Sequence, residues 1–272
     1  MNSAGNRYGK TGMQVSTWSA ERLQEIVRLK DKILLMIDWK ERYSRQIMLP
    51  ELGEEGQKRL LGSSVLVVGT GGLGSPIATY LCAAGVGRIG LIDADTVSVS
   101  NLQRQVLYSE EEVGMSKVAC AAKKLGMLNS DVKIECFDCR LEKDNAEDII
   151  SRFDIVADAC DNFATRFLVN DCCLRLGKPY VYGSIHGLEG QVSVFGIAGK
   201  DGRMHSYRDL YDESELLSMP APTKEVLGVT PAVTGSVEAL QVLQVLGQFG
   251  DPLIGRLWTV DLTDMSSMTV EL

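Results

Sequence analysis

The sequence predicts an α/β fold, Rossmann-like, with a largely parallel sheet covered by helices and antiparallel strands at one edge. Three observations carry this prediction. Short β-branched runs alternate with longer stretches of helical period, which implies right-handed crossovers and a covered parallel sheet. A glycine-rich turn, GTGGLG over Gly69–Gly74, joins the first of these runs directly to a helix. Two runs at 180–185 and 191–197 lie too close together for a crossover helix, so they must pair antiparallel.

Taken in order, residues 1–18 are polar and Gly-rich and read as a tail. From Ser19 to Trp39, Leu23, Ile26, Val27, Ile33, Leu34 and Ile37 recur at helical spacing, an amphipathic helix appended ahead of the main domain. Two parts follow from this: an appended tail and helix over 1–40, and one domain over 41–272. VLVVG (65–69) is a buried strand and Leu73–Ala84 a helix. RIGLID (88–93) is a strand, Lys117–Leu128 a helix and KIECFD (133–138) a strand. Asp144–Phe153 is a helix, IVADA (155–159) a strand and Arg166–Leu176 a helix ahead of the antiparallel pair. Residues 199–228 break the rhythm: Pro220, Pro222 and many charges without a sustained period describe a long crossover loop, of the kind that is usually functional. Thr234–Leu246 is a late helix and RLWTVDL (256–262) a final strand.

Composition narrows the function. With 272 residues, 45% hydrophobic and 24% charged, the chain is ordinary globular material. No apolar run reaches the roughly 18 residues of a membrane span, and the start has no signal-peptide core, so a cytoplasmic protein without membrane attachment is expected. Lys+Arg of 28 against Asp+Glu of 36 leaves a net charge of -8, which argues against broad nucleic-acid binding. Seven cysteines at irregular spacing read as reduced thiols. Cys136 and Cys139 form a C-x-x-C, but residues three apart on a strand face opposite ways and no second pair completes a zinc site.

The glycine turn marks a nucleotide site. Gly69, Gly71, Gly72 and Gly74 allow a tight turn and a close approach of backbone N–H groups to phosphate, and the helix N-terminus adds partial positive charge. Asp93 ends the next strand, 19 positions after Gly74, where a carboxylate accepts ribose hydroxyls. Asp95 and SVSNLQRQ follow, with Ser100, Asn101, Leu102, Gln103, Arg104 and Gln105, and then Lys117 at a helix start. Two cations and two amides at the mouth of a phosphate loop exceed what a nicotinamide needs and suit a triphosphate whose leaving pyrophosphate gathers charge. Asp161, with Asn162 beside it at the end of the strand IVADA, stands where a Mg²⁺ bridging phosphates would be held. No serine elbow, H-E-x-x-H or carboxylate pair occurs, and the only histidines are His186 and His205.

RYSRQI (42–47), GTGGLGS, DADTVSVSNLQRQ (93–105), GMSKV (114–118), DACDN (158–162) and VTPAVTGSVEALQVL (229–243) together resemble the ThiF/MoeB family, bacterial relatives of ubiquitin-activating enzymes. The resemblance implies an adenylyltransferase that uses ATP and Mg²⁺. Its acceptor would be the C-terminal glycine of a ubiquitin-like sulfur carrier with a Gly-Gly end, in thiamine, molybdopterin or related sulfur transfer. It further implies phosphate contacts from the loop around Gly72, ribose contact at Asp93, polyphosphate contacts from Asn101, Arg104, Gln105 and Lys117, and Mg²⁺ at Asp161. Arg45 would reach the active site of the other subunit of a homodimer, and a sulfur donor protein is a further partner. Most members carry two zinc-binding C-x-x-C pairs; here SYRD (206–209) replaces the first and the second is missing, so no zinc site is expected. No cysteine stands in PAPTKEVLG (220–228) to link covalently to a carrier. Other readings keep the site but change the acceptor to a peptide or a tRNA base, or make the chain a nucleotide-binding scaffold. A dehydrogenase is disfavoured by Arg104, Lys117 and Asp161, for which hydride transfer has no use.

Overall fold

The computed structural model describes residues 38–200, 202–219 and 225–272. It divides into two compact units, Met1–Arg42 and Tyr43–Leu272. In the first unit the described residues form one helical turn, α1 (Trp39–Arg42); the expected tail and nearly all of the expected appended helix lie outside the described residues.

The second unit runs α2 (Ser44–Ile47), α3 (Gly53–Gly62), β1 (Ser64–Val68), α4 (Gly74–Ala84), β2 (Arg88–Ile92), α5 (Lys117–Leu128), β3 (Lys133–Phe137), α6 (Ala146–Ser151) and β4 (Ile155–Asp158). It continues with α7 (Phe163–Leu176), β5 (Tyr180–His186), β6 (Glu189–Phe195), α8 (Tyr207–Leu210), α9 (Glu213–Ser218), α10 (Val229–Gly247), β7 (Arg256–Asp261) and β8 (Ser266–Glu271). The eight strands form one sheet in the order β3-β2-β1-β4-β5-β6-β7-β8. The first five are mutually parallel and β6, β7 and β8 are antiparallel additions.

Alternation along β1 explains why its run is apolar throughout. Val65 and Val67 join one core with Ile77, Leu81, Val118 and Val242, while Leu66 and Val68 join the other with Ile150, Phe153 and Phe167. Helices α4, α5 and α10 therefore cover one face and α6, α7 and α8 the other, and past its first residue, Ser64, this strand buried on both sides is apolar. Order reverses between β1 and β4, and the crevice at that switch, outside the carboxyl ends of the strands, is where such folds bind ligands.

The expected antiparallel pair forms, with Tyr180 opposite Phe195 through to His186 opposite Glu189. It lies inside the sheet rather than at its rim, because β7 and β8 extend beyond it. β8 escaped prediction because SSMTVE has few apolar residues, and all six positions are exposed. α3 also went unpredicted. The helix expected from Thr234 begins at Val229, its Pro231 tolerated in the first turn, where no intrahelical N–H bond is lost. The crossover segment is not structureless: α8 and α9 lie within it. Tyr207 is fully buried, its ring 4.9 Å from Phe167 and 5.1 Å from Tyr182. Arg208 grips Asp171 through Nε at 2.8 Å and Nη2 at 2.7 Å, and reaches Glu213 at 2.7 Å. Ser206 and Asp209 of SYRD close a capping box around α8.

Cysteines 82, 120, 160, 172 and 173 are buried and form no disulfides among the described residues. Cys136 is exposed on β3, and Cys139 lies beyond that strand's end. No helix among the described residues is long and apolar enough to cross a membrane.

Candidate active site

β1 delivers the chain to the glycine turn, where Gly69 adopts φ +94°. A side chain here would be strained in backbone and would also strike the Ala159 carbonyl, since an added Cβ would stand 2.6 Å from that oxygen. Gly74, at the first position of α4, lies with its Cα against the Gly69 carbonyl, and a Cβ would come within 2.9 Å of that carbonyl carbon. The turn thus folds on itself and on the end of β4. Ser75 returns its N–H and hydroxyl to the Gly71 carbonyl, whereas the N–H groups of Gly71, Gly72 and Leu73 have no backbone acceptor among the described residues. Free donors at a helix N-terminus form a cradle for an anion.

Around that cradle the structure gathers most of the residues singled out from the sequence. Asp93, at the end of β2, accepts the Thr70 N–H at 2.8 Å and hydroxyl at 3.0 Å through one oxygen, and the Asp95 N–H at 2.9 Å through the other. It therefore fixes the turn before it meets any ribose. Arg104 lays its side chain over Gly72, where an added Cβ would stand 3.6 Å from its Cδ, and donates to the Ser100 carbonyl at 3.0 Å. Gln105 is 4% exposed, its amide nitrogen beside Gly71 and its Oε1 buried with no partner. Asn101 accepts the Ser98 N–H in a capping box around the 3₁₀ turn Val99–Asn101. Leu102 turns into the core, and exposed Gln103 presents its carbonyl to Gly228, where no side chain would fit.

Lys117 opens α5, is only 4% exposed, and places Nζ 2.9 Å from Asp95. A buried ammonium at a helix N-terminus is unfavourable both for desolvation and for the helix dipole. Asp95 is a mostly exposed counter-ion, so the arrangement is costly for folding and well suited to an incoming polyanion. Asp161 follows β4 on an exposed turn with a carboxylate that has no partner among the described residues. Asn162 caps α7 by accepting the Thr165 N–H at 2.9 Å. One free carboxylate just past β4, the strand beside the one that leads into the cradle, is a donor set that suits Mg²⁺, which takes one or two carboxylates and fills its shell from substrate phosphates and water.

Arg45 is a predicted site residue that this chain does not bring to the cradle. It is exposed on α2, which docks at the far end of α4: Gln46 and Gln57 both donate to the Ala84 carbonyl. At 1.5 Å per residue, α4 alone separates that end from the glycine turn by about 16 Å.

The model of the ThiF family matches residues 43–272. The chain belongs to the ThiF family. It is 47% identical over 229 residues to the sulfur carrier protein adenylyltransferase of Thermus thermophilus, a match that covers 83% of this chain and 84% of that one. It is 44% identical over 231 residues to the probable adenylyltransferase/sulfurtransferase MoeZ of Mycobacterium tuberculosis, covering 84% of this chain but 59% of MoeZ. Among solved structures, E. coli MccB with MccA-N7isoASN superposes with a TM-score of 0.73 at 22% identity, over 94% of this chain and 80% of that one.

Several residues of this ThiF-family site carry no motif that sequence reasoning could single out. Thr70 is fully buried between Asp93 and Tyr108, whose hydroxyl donates to the Thr70 carbonyl at 2.8 Å; burial raises the Tyr108 phenol well above its usual range. Beneath the crevice sits a buried cluster of Asp158, Arg166, Tyr180 and Glu238. Tyr180 donates to Asp158 at 2.5 Å, and Arg166 stands 3.6 Å from it. Burial, reinforced by Asp158, pushes the Glu238 carboxyl well above the carboxylate range. The available signal was three polar residues, Thr230, Thr234 and Glu238, four apart on a largely apolar helix.

Proposed function

We propose that the chain is an ATP-dependent adenylyltransferase that activates the C-terminal glycine of a ubiquitin-like sulfur carrier. The observation that carries this reading is the buried Lys117, linked through Asp95 and Asp93 to the turn that holds the glycine cradle. Arg104 and Gln105, which lie against Gly72 and Gly71, together with Asp93 and with Asp161 beyond the end of β4, would complete a site for a nucleoside triphosphate. The names of the relatives supply the acceptor class, and the catalytic body is residues 43–272.

A terminal carboxylate, with a pKa of about 3.5, is ionised at neutral pH and attacks the α-phosphorus without a general base. The new acyl–phosphate bond forms as the bond to the bridging oxygen breaks, and pyrophosphate departs with both bonding electrons. The cradle N–H groups and Lys117 hold the phosphates in line, Arg104 meets the charge on the leaving group, and Asp93 orients the ribose. Asp161 would hold Mg²⁺, which supplies neutralisation of phosphate charge when bound. Arg45 lies too far along α4 to serve its own cradle, which supports a homodimer in which it completes the site of a second copy.

ATP–pyrophosphate exchange with Mg²⁺, in the presence of carriers ending in Gly-Gly, tests the reading. Exchange that depends on one carrier and fails when its last glycine is removed is expected. Exchange should also be lost in Lys117→Ala and Asp161→Ala with the fold intact. Absence of ATP binding by the wild-type chain would refute it.

A further inference from the structure

We infer that Arg166 is a positioning residue that aims the Asp161 carboxylate into the phosphate crevice, an inference that rests on the function proposed above. The β4–β5 ladder is short: only Val156 opposite Tyr180 and Ala157 opposite Val181 are paired. Beyond them the two strand ends face the crevice without a ladder, and a single guanidinium spans the gap. Arg166 comes from the first turn of α7 and is 6% exposed. Its Nη2 donates to the Cys160 carbonyl at 3.0 Å and the Gly183 carbonyl at 3.2 Å, and its Nη1 donates to the Ser184 hydroxyl at 2.9 Å. Asp158 supplies the counter-charge from the end of β4 and also accepts the Cys160 N–H at 2.9 Å.

The Cys160 peptide is therefore held from both sides, its N–H by Asp158 and its carbonyl by Arg166. Asp161 is the next residue. The one after it, Asn162, is pinned by its cap to Thr165. An exposed carboxylate is thus mounted on a turn fixed at both neighbours, which is how a ligand for a cation is preorganised. The planar fork of arginine is needed because three acceptors on two strands lie around it; the compact ammonium of lysine would reach only part of that set.

The test is a double-mutant cycle on the full chain, reading ATP affinity by calorimetry with and without Mg²⁺ and melting temperature alongside. Asp161→Ala should remove the gain in affinity that Mg²⁺ provides. Arg166→Lys should weaken ATP binding in Mg²⁺ by roughly 10- to 100-fold, the range for loss of a partner that orients a metal ligand, and leave metal-free binding near wild type. In the Asp161→Ala background, Arg166→Lys should cost nothing further. Ser184→Ala, which removes one acceptor and leaves no charge unpaired, repeats the comparison at smaller amplitude should the lysine variant fail to fold. Additive effects, or equal losses with and without Mg²⁺, would overturn the positioning role alone. An Asp161→Ala variant that keeps its full Mg²⁺ response would overturn both this role and the proposed cation site.

Discussion

Glycines 71, 72 and 74 share one turn and one apparent motif, yet the structure assigns them different reasons to be glycine. None of the three has positive φ, so backbone conformation alone forbids alanine at none of them. Space separates them. A Cβ at Gly71 would rest 3.4 Å from the Gln105 amide nitrogen, an ordinary contact, and one at Gly72 would stand 3.2 Å from Pro231 Cβ, which can give slightly. A Cβ at Gly74 would press into the Gly69 carbonyl, 2.9 Å from its carbon and nearer still to its oxygen, and backbone cannot swing aside as a side chain can. Overpacking of this kind costs about 1–3 kcal/mol. At about 2–4 °C per kcal/mol for a unit of this size, Gly74→Ala should melt roughly 2–12 °C lower. Relief requires the turn to move by about half an ångström or more, and misplacement on the order of 1 Å costs about 100-fold where geometry is critical. Calorimetric ATP titration and thermal unfolding of the three alanine variants check this. The expected order of lost stability is Gly74 far above Gly72, with Gly71 near wild type. A Gly74→Ala protein that melts with Gly71→Ala and binds ATP as well as wild type would refute the steric account.

Asp93→Asn should lower both melting temperature and ATP affinity, because an amide can satisfy only part of the three donors from Thr70 and Asp95; an unmatched donor costs about 1–3 kcal/mol, and thermal unfolding reads it. Glu238→Gln should be more stable than wild type at neutral pH. Burial raises the Glu238 carboxyl, so the folded state holds this proton more tightly than the unfolded state; wild-type stability therefore falls as pH climbs above about 4.3, and the glutamine removes that loss. Urea midpoints of the two proteins should converge toward pH 4; parallel pH profiles would contradict the raised carboxyl. Asp171→Asn should destabilise by about 1 kcal/mol or less, since the Asp171–Arg208 pair is more than a third exposed on the Arg208 side. Arg208 holds the Asp171 carboxyl below its usual range, so that difference is present at neutral pH and disappears as pH falls below about 4.

What could be read from the sequence follows from what each feature needs. β1 must be buried on both faces, so its pattern is unmistakable; β8 is exposed at every position and leaves no pattern. The cradle was legible because glycines, Asp93 and Lys117 stand at spacings set by a strand, a turn and a helix N-terminus. Asp158, Arg166 and Glu238 were not legible, because their meaning depends on partners brought together only by the sheet. Arg166 sits in a helix where an arginine usually means a solvated face, and Asp158 ends a strand where a carboxylate usually means a ligand. Their burial reverses both expectations. Asp158 is closed off by Tyr180 and Arg166, whereas Asp161, three residues on, is exposed. Both carboxylates of DACDN are thus accounted for by one geometry: the inner one neutralises the guanidinium that ties two strand ends together, and the outer one stays free for a ligand.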